Sequence, residues 1–254
     1  MNIAPNPPTE SEAKEGEVLL RRPRTVGPIR GLMWIGEAFS LFRHYPIAWL
    51  LTGLSLIGLY ILFSFIPLVG GLLYTLISTV ILGGIALGCA AQEIGEDYST
   101  HYLAVAFDRP QKLVALALLY LSVTYVIVVL MLGSLLSQLD PSADLAAVMA
   151  ILSEHPRRVM ATMLLMLPMV MAKWFGLVLI ALHDVPLWQA MGLSFSACLR
   201  NALPMTLLAM ALFALFLIGM VPLFLGVLVI YPVMIISSYT SYRDVFTHEQ
   251  VGFK

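Results

Sequence analysis

The chain has 254 residues, of which 60% are hydrophobic and 11% are charged, and its mean hydropathy is +0.91. Soluble domains carry about 25% charged residues, so this composition excludes a water-soluble globule and indicates an integral membrane protein. The formal net charge of −1 argues against a nucleic-acid-binding protein, which would need a strongly basic face.

The first 28 residues are rich in Pro, Glu and Arg and contain no apolar segment typical of a signal peptide. Many charges with low hydrophobicity are typical of disorder, so we expect residues 1–28 to form a disordered cytoplasmic tail. The two cysteines, Cys89 and Cys198, lie in segments that we place near the cytoplasmic side. No disulfide framework is expected there.

The first long apolar segment, residues 45–92, contains no Asp, Glu, Lys or Arg. As one helix it would be roughly 70 Å long, more than twice the thickness of the hydrocarbon core, so it must reverse direction. The reversal is predicted at Pro67, Gly70 and Gly71, because proline interrupts a helix and glycine permits a tight turn. The two membrane spans that result are about 47–66 and 71–91.

The second half of the chain repeats this organisation, because residues 201–242 are also uncharged and Pro222 and Gly226 mark a turn. Two more runs between these segments are long enough to cross a bilayer. The spans predicted in this part are 113–136, 159–182, 203–221 and 223–241. Since backbone polar groups in lipid must be satisfied within each segment, the sequence predicts an all-α fold with six transmembrane helices in one domain, 29–246.

The distribution of cations predicts the orientation in a bacterial inner membrane. With both termini in the cytoplasm, only Arg157 and Arg158 fall in an outer loop, as the positive-inside rule requires. Residues 247–254 would then form a cytoplasmic C-terminal tail. Six arginines are candidate contacts to anionic lipid, the alternative being that they only set the orientation. They are Arg21, Arg22, Arg24, Arg30, Arg43 and Arg200.

A weak internal repeat occurs three times, as an amphipathic stretch, a proline, a span, a turn and a second span. The amphipathic stretches are 32–46, 101–110 and 185–204. One interpretation places these helices in the membrane interface, and the alternative packs their apolar stripes on the bundle. The predicted architecture is therefore three helical hairpins, each preceded by an amphipathic interfacial helix. The stripes are Leu32, Ile35, Phe39 and Phe42 in the first and Trp188, Met191, Phe195 and Leu199 in the third.

Aromatic and small residues predict how the spans meet lipid and each other. Trp49, Tyr239 and Tyr242 lie near span ends, which favours an interfacial aromatic belt. Gly84 and Gly88 form a GxxxG motif that predicts the close approach of another helix.

Five segments carry a family resemblance: RGLMWIGEAFSLFRHYP, IPLVG, ILGGIALGCAAQEIG, MLPMVMAKWF and MVPLFLGVLVIYPVMIISSYTSYRDVF. Together they resemble a family of proteobacterial inner-membrane proteins known by a BPSS-type locus name. The resemblance covers about residues 25–247 and implies six helices, with no assigned activity, catalytic residue or ligand. The repeat is more distantly similar to membrane domains attached to glycerophosphodiester phosphodiesterases, whose catalytic domain has no counterpart in this sequence.

Lys173 is the ionisable side chain that lies deepest within a predicted span. A buried ammonium costs at least ~2.5 kcal/mol, so it is expected to snorkel or to find a carboxylate or carbonyl partner. The candidate partners are Glu37, Glu93 and Glu96. One interpretation is an anion or proton site in the bundle, and the alternative is a lysine that snorkels beside Trp174.

Pro168 lies in the same predicted helix and leaves the carbonyl of Leu164 without its helical donor. The resulting kink marks a site in some transporters and only shapes packing in other proteins.

The loop after the second span carries Glu93 and Glu96 with three more ligand-type residues, Asp97, His101 and Asp108. Their spacing matches no metal motif and favours a solvated acidic loop. The His183-Asp184 pair favours a polar helix end over a catalytic dyad, and the 14 methionines favour apolar packing over copper binding. No metal, cofactor or catalytic set is predicted.

Three functional hypotheses follow. The first is a non-enzymatic protein that organises the membrane or binds lipid or a partner, with the bilayer, a membrane protein or a second copy as its partner and no nucleic acid. The second is a small transporter or channel component with a site near Lys173 and Pro168. The third is an intramembrane enzyme acting on lipid, for which the loop acids and His101 are the only support.

Overall fold

The computed structural model describes residues 23–67, 69–140, 144–221 and 225–247, and within these ranges it contains ten α-helices and no strand. The predicted all-α fold is confirmed. The helices are α1 (Arg30–His44), α2 (Pro46–Ser64), α3 (Gly70–Glu93), α4 (Tyr102–Val105), α5 (Gln111–Leu136), α6 (Leu145–Ser153), α7 (Pro156–His183), α8 (Leu187–Arg200), α9 (Ala202–Met220) and α10 (Leu225–Phe246). A 3-10 turn, Ala106–Asp108, follows α4.

Five of the described helices, α2, α3, α5, α7 and α9, are long and apolar enough to cross a membrane. The chain is therefore a multi-pass α-helical membrane protein. The surface agrees with this assignment, because large apolar side chains such as Leu130, Leu164 and Phe213 are exposed along these helices. In a bilayer these side chains would contact lipid instead of water, so the cost of exposing apolar surface to water would not arise.

Proline and a polar cap determine where several helices begin. Pro46 and Pro156 occupy the first positions of α2 and α7, where the missing N–H has no helical acceptor to lose. Asp144 caps α6 by accepting a 2.9 Å hydrogen bond from the backbone N–H of Ala147. The sequence analysis did not predict this short helix between α5 and α7.

Helix α10 lies at the centre of the bundle and contacts α1, α2, α3, α7 and α9. Its polar side chains are buried in protein, and the hydroxyls of Ser237 and Ser241 each donate to the backbone carbonyl four residues earlier. Such hydroxyls need no water, so a helix with several of them fits a position surrounded by protein.

Helices α1 and α8 pack on the bundle, α1 against α9 and α10, and α8 against α7. Helix α8 buries small residues such as Ala190 and Ala197, whereas α1 also buries the large ring of Trp34. The predicted apolar stripes face outward in large part. Of their eight residues, only Phe42 is buried. Four are exposed, namely Leu32, Phe39, Trp188 and Leu199.

The second amphipathic stretch, 101–110, forms only the four-residue α4 and a 3-10 turn. It docks on α3 at the GxxxG motif, where a Cβ on Gly84 would overlap the carbonyl of Tyr102 and one on Gly88 would overlap the rings of Tyr98 and Tyr102. The motif therefore receives this loop rather than another span. The loop directly follows α3 in the chain, so it can fold back onto the groove that Gly84 and Gly88 leave on that helix.

The first turn depends on Gly70, because a Cβ at this position would overlap the carbonyl of Phe63. Pro67 is exposed in the turn, and a Cβ on Gly71 would meet open space. In the last helix pair, Gly226 lies against the backbone of Gly219. Pro222 lies outside the described residues.

The predicted disordered tail extends too far, because residues 23–28 are held by hydrogen bonds. The backbone N–H of Arg24 donates to the carbonyl of Val245 at 2.9 Å. Asn201 accepts from the N–H of Val26 at 2.8 Å and donates to the carbonyl of Arg24 at 2.9 Å. This segment, which we call the N-terminal strap, joins α10 to the α8–α9 junction. The tail predicted for residues 1–22 lies outside the described residues, as does that for 248–254.

The predicted aromatic belt is wrong for all three residues. Trp49 is fully buried and stacks on Tyr98 with ring centroids 3.7 Å apart. Tyr239 and Tyr242 are buried in the bundle as well. The loop that carries Tyr98 covers Trp49, and the central position of α10 buries Tyr239 and Tyr242. Neither feature can be read from residues that are close in sequence.

Candidate functional site

Among the described residues, six charged side chains meet near the C-terminal end of α10 and form what we call the charge network. The carboxylate of Asp244 pairs with Arg24 and with Arg30, whose Nε lies 2.5 Å from Oδ2. Arg243 pairs with Glu37 at 2.6 Å and with Glu93. Arg30 also lies 3.1 Å from Glu37, which joins the two halves. The network thus connects the N-terminal strap, α1, α3 and α10.

The described members of the charge network pair cations with an equal number of carboxylates, and they are largely shielded from solvent. Three guanidinium groups face three carboxylates, and the Asp244 side chain is only 3% exposed. The indole N–H of Trp34 donates a further 2.7 Å hydrogen bond to Asp244. Burial lowers the pKa of Arg30, but Asp244 and Glu37 outweigh burial and raise this pKa above its usual value. Removing one member of an ion pair in the network would leave the other charge shielded from water without a partner. We therefore expect the stability of the bundle to depend on all members of the network together.

The carboxylates proposed as partners of Lys173 are engaged elsewhere. Glu37 and Glu93 belong to the charge network, and Glu96 accepts a 3.2 Å hydrogen bond from the hydroxyl of Tyr102. The prediction of a carboxylate partner for Lys173 is therefore wrong for these three residues. The guanidinium of Arg243 on α10, far away in sequence, binds Glu37 and Glu93 instead.

Lys173 points into the bundle and meets one hydroxyl and one aromatic ring. Its Nζ donates to Oγ1 of the fully buried Thr79 at 3.2 Å and lies 4.4 Å from the ring centroid of Tyr120. Among the described residues no carboxylate lies within ion-pair distance of this ammonium. Cation–π contact partly offsets the loss of hydration but supplies no counter-charge.

A cavity of about 320 Å³ adjoins this ammonium. It lies among five helices, α3, α5, α7, α9 and α10, and its lining is mainly apolar. Val170, which is exposed on α7, belongs to the lining, so the cavity reaches the outer surface of the bundle. We call it the lysine cavity. Its polar side chains include Lys173, Tyr120, Tyr231, Ser238 and Tyr239.

A second cavity of about 330 Å³ shares Val170 and Trp174 with the lysine cavity. It lies between α7, α8 and α9, and its walls are apolar and rich in methionine. We call it the methionine cavity. Both shared residues lie within one turn of α7. The remaining lining includes Met171, Cys198, Met205, Leu208, Ala209 and Met210.

The structure separates Pro168 from Lys173. Helix α7 is continuous through Pro168, whose side chain is exposed on the outer surface and lines neither of these cavities. The site that sequence analysis placed near both residues is therefore formed by Lys173 together with residues of other helices. Thr79 and Tyr120 carried no signal in the sequence that could have identified them.

The candidate lipid-surface arginines fall into two groups. Arg43 and Arg200 are exposed, and the guanidinium of Arg43 lies 5.6 Å from the ring centroid of Phe39. Arg24 and Arg30 pair with Asp244 inside the charge network. Arg21 and Arg22 lie outside the described residues.

Neither the loop acids nor the His183-Asp184 pair forms a compact site. Within the described ranges no group of three or more His, Cys, Asp or Glu side chains could hold a metal ion. His183 hydrogen-bonds to the hydroxyl of Tyr242 at 2.5 Å, whereas Asp184 pairs with Lys112 at 2.7 Å.

Burial raises the pKa of the Cys198 thiol to about 12, which keeps it protonated.

Comparison of the chain with family models, curated proteins and solved structures gives no match. The cavities and the charges around them are therefore the features of the molecule that bear on its function.

Proposed function

We propose that this protein is a non-enzymatic, six-span inner-membrane protein of the BPSS-type family that binds an amphipathic component of the bilayer in the lysine cavity. One observation carries the proposal: a mainly apolar cavity, reaching the lipid-facing surface, contains an ammonium without a carboxylate counter-charge among the described residues. Ligand sites in proteins commonly combine apolar walls with a few polar groups that set orientation.

The six-span arrangement is supported by the length of α10. Its 22 residues extend about 33 Å, enough to cross the hydrocarbon core. Helix α2 packs on α3, α5 on α7, and α9 on α10, as three hairpins would require. In this arrangement α10 is the innermost span and α2, α5 and α9 lie nearer to lipid.

The cytoplasmic location of both termini is supported by the positions of the cations. The charge network, Arg200 and Lys112 lie at one end of the bundle, where α8 begins after α7 and α10 ends. Arg157 and Arg158 begin α7, about 40 Å away along that helix. The excess of cations at the first end favours the cytoplasm for it.

Binding is favoured over catalysis by the groups around the lysine cavity. Among the described residues, its lining contains no carboxylate or imidazole that could exchange a proton with a reacting group. The outward-facing large residues of α1 and α8, including Phe39 and Trp188, support an interfacial position from which lipid is accessible. A membrane-protein partner or a second copy of the chain remains a further prediction.

Tryptophan fluorescence tests the proposal because the four indoles differ in exposure. Trp34 and Trp49 are fully buried, Trp174 lines the lysine cavity, and Trp188 is 72% exposed. In the Trp188→Phe protein, purified in mild detergent, a chain-brominated fatty acid or fatty alcohol should quench emission saturably. Adding Trp174→Phe should abolish the saturable part. Absence of saturable quenching by both probes, or its persistence without Trp174, would contradict the proposal.

Transport is a second candidate, favoured by the position of the lysine cavity among α3, α5, α7, α9 and α10. These helices come from all three predicted hairpins, and transporters place their substrate sites at such junctions. Proteoliposomes loaded with a short alkyl carboxylate would then release it faster than protein-free vesicles, and Lys173→Ala would remove the difference. Equal release with and without this substitution would eliminate transport through the cavity.

A further inference from the structure

We infer that the ligand of the lysine cavity is an amphiphile with one alkyl chain and a compact anionic head. The head lies on the ammonium of Lys173, and the chain passes Trp174 into the methionine cavity. This inference rests on the proposed function and adds the chemical class and the orientation of the ligand.

The charge of the head follows from a contrast within the bundle. In the charge network, each buried carboxylate faces at least one guanidinium. Lys173, by comparison, has a hydroxyl of Thr79 and the ring of Tyr120 as its described neighbours. A cation in a low-dielectric environment attracts an anion more strongly than a neutral head. An anionic ligand would therefore supply the counter-charge that the described residues do not.

The size of the head follows from the geometry at Nζ. The ammonium has three N–H donors. One donates to the hydroxyl of Thr79 at 3.2 Å, so two remain for an anion. The Tyr120 ring, 4.4 Å from Nζ, occupies one side of the ammonium. The ammonium of lysine is a compact point charge. In the space that Thr79 and Tyr120 leave around it, a small head such as a carboxylate fits better than a bulky one.

The path of the chain follows from the two cavities. Each has a volume near 300 Å³, the lower end of the range for small-molecule sites, and Val170 and Trp174 line both. Room of this size favours one chain over two. Met171, Met205 and Met210 line the far side, and methionine adapts its shape to flexible apolar ligands.

A comparison of head groups on one protein tests the charge. The Trp188→Phe protein is titrated with chain-brominated palmitic acid, the corresponding alcohol and the corresponding trimethylammonium amphiphile, and quenching of Trp174 is recorded. We expect the acid to bind about tenfold more tightly than the alcohol, and the cation not to bind saturably. Equal affinity for acid and alcohol would overturn the inference while leaving the proposed function intact. Failure of every probe would overturn both.

Substitutions at Lys173 test the location of the head. Lys173→Gln should remove the preference for the acid and leave the affinity for the alcohol unchanged, whereas Lys173→Arg should keep part of the preference. The matched control is Lys112→Gln, because that ammonium pairs with Asp184 outside the lysine cavity. An unchanged preference in Lys173→Gln would place the head elsewhere and overturn the inference.

A bulky substitution tests the path of the chain. Ala209 and Ala214 are both exposed on α9, but Ala209 lines the methionine cavity and Ala214 lines neither cavity. Ala209→Phe should shift the preference from palmitic to decanoic acid chains by about tenfold, and Ala214→Phe should not. The same shift in both variants, or in neither, would contradict this path.

Discussion

The hydroxyl of Tyr239 donates a 2.7 Å hydrogen bond to Glu93 Oε2 in the charge network, while the same residue lines the lysine cavity. One side chain thus belongs to both features. Glu93 in turn pairs with Arg243, and the network continues through Glu37 and Arg30 to the N-terminal strap. A ligand that displaces the Tyr239 ring would therefore act directly on the network.

Removing this hydroxyl should weaken the bundle measurably. In Tyr239→Phe, the buried carboxylate of Glu93 loses one donor, and a hydrogen bond to a charged group contributes about 1.5–3 kcal/mol. We expect a lower thermal midpoint in detergent, read by circular dichroism. Tyr125→Phe is the control, since Tyr125 is 70% exposed. Equal midpoints for the two variants would contradict the assigned role of the hydroxyl.

Neutralising Asp244 should cost more, because Arg24, Arg30 and Trp34 all donate to it. Breaking a buried ion pair from one side costs about 3–5 kcal/mol, so Asp244→Ala should strongly lower stability in denaturant titrations. Asp108→Ala, at an exposed position, should have little effect. The double variant Asp244→Ala, Arg30→Gln should lose less than the sum of the single losses. Strict additivity would show that the pair does not couple.

A methyl group on Gly84 should destabilise the protein, although alanine is the better helix former. Its Cβ would overlap the carbonyl of Tyr102, and overpacking of this kind costs about 1–3 kcal/mol. A Cβ on Gly58, within α2, meets open space, so Gly58→Ala should be neutral or stabilising. Thermal midpoints measured side by side test this, and a neutral Gly84→Ala would rule out close docking of the α4 loop.

Cysteine labelling tests the orientation. After replacement of Cys89 and Cys198 by alanine, Ser153→Cys at the C-terminal end of α6 should react with a membrane-impermeant maleimide on intact spheroplasts. Ser99→Cys, on the loop between α3 and α4, should react only after permeabilisation. Both serines are exposed, so a difference reports the side of the membrane. The reverse pattern would invert the proposed topology.

The long apolar helices and their approximate ends were predictable because the signals that define them are local. The uncharged run of residues 45–92 is too long for one helix, and α2 and α3 separate around Pro67 and Gly70 as predicted. Run length, proline and glycine act within a few turns of the chain, so their effect can be read from neighbouring residues. The same reasoning could not distinguish a buried Trp49 from an interfacial one.

The amino-acid sequence alone therefore determined that this is an all-α membrane protein with long apolar helices, and it singled out Lys173. Only the tertiary structure decided what surrounds that lysine and which cation neutralises Glu93. Thr79 lies 94 positions from Lys173, and Glu93 lies 150 from Arg243. Contacts at such separations depend on which helix faces meet in the bundle, a property that no local pattern specifies.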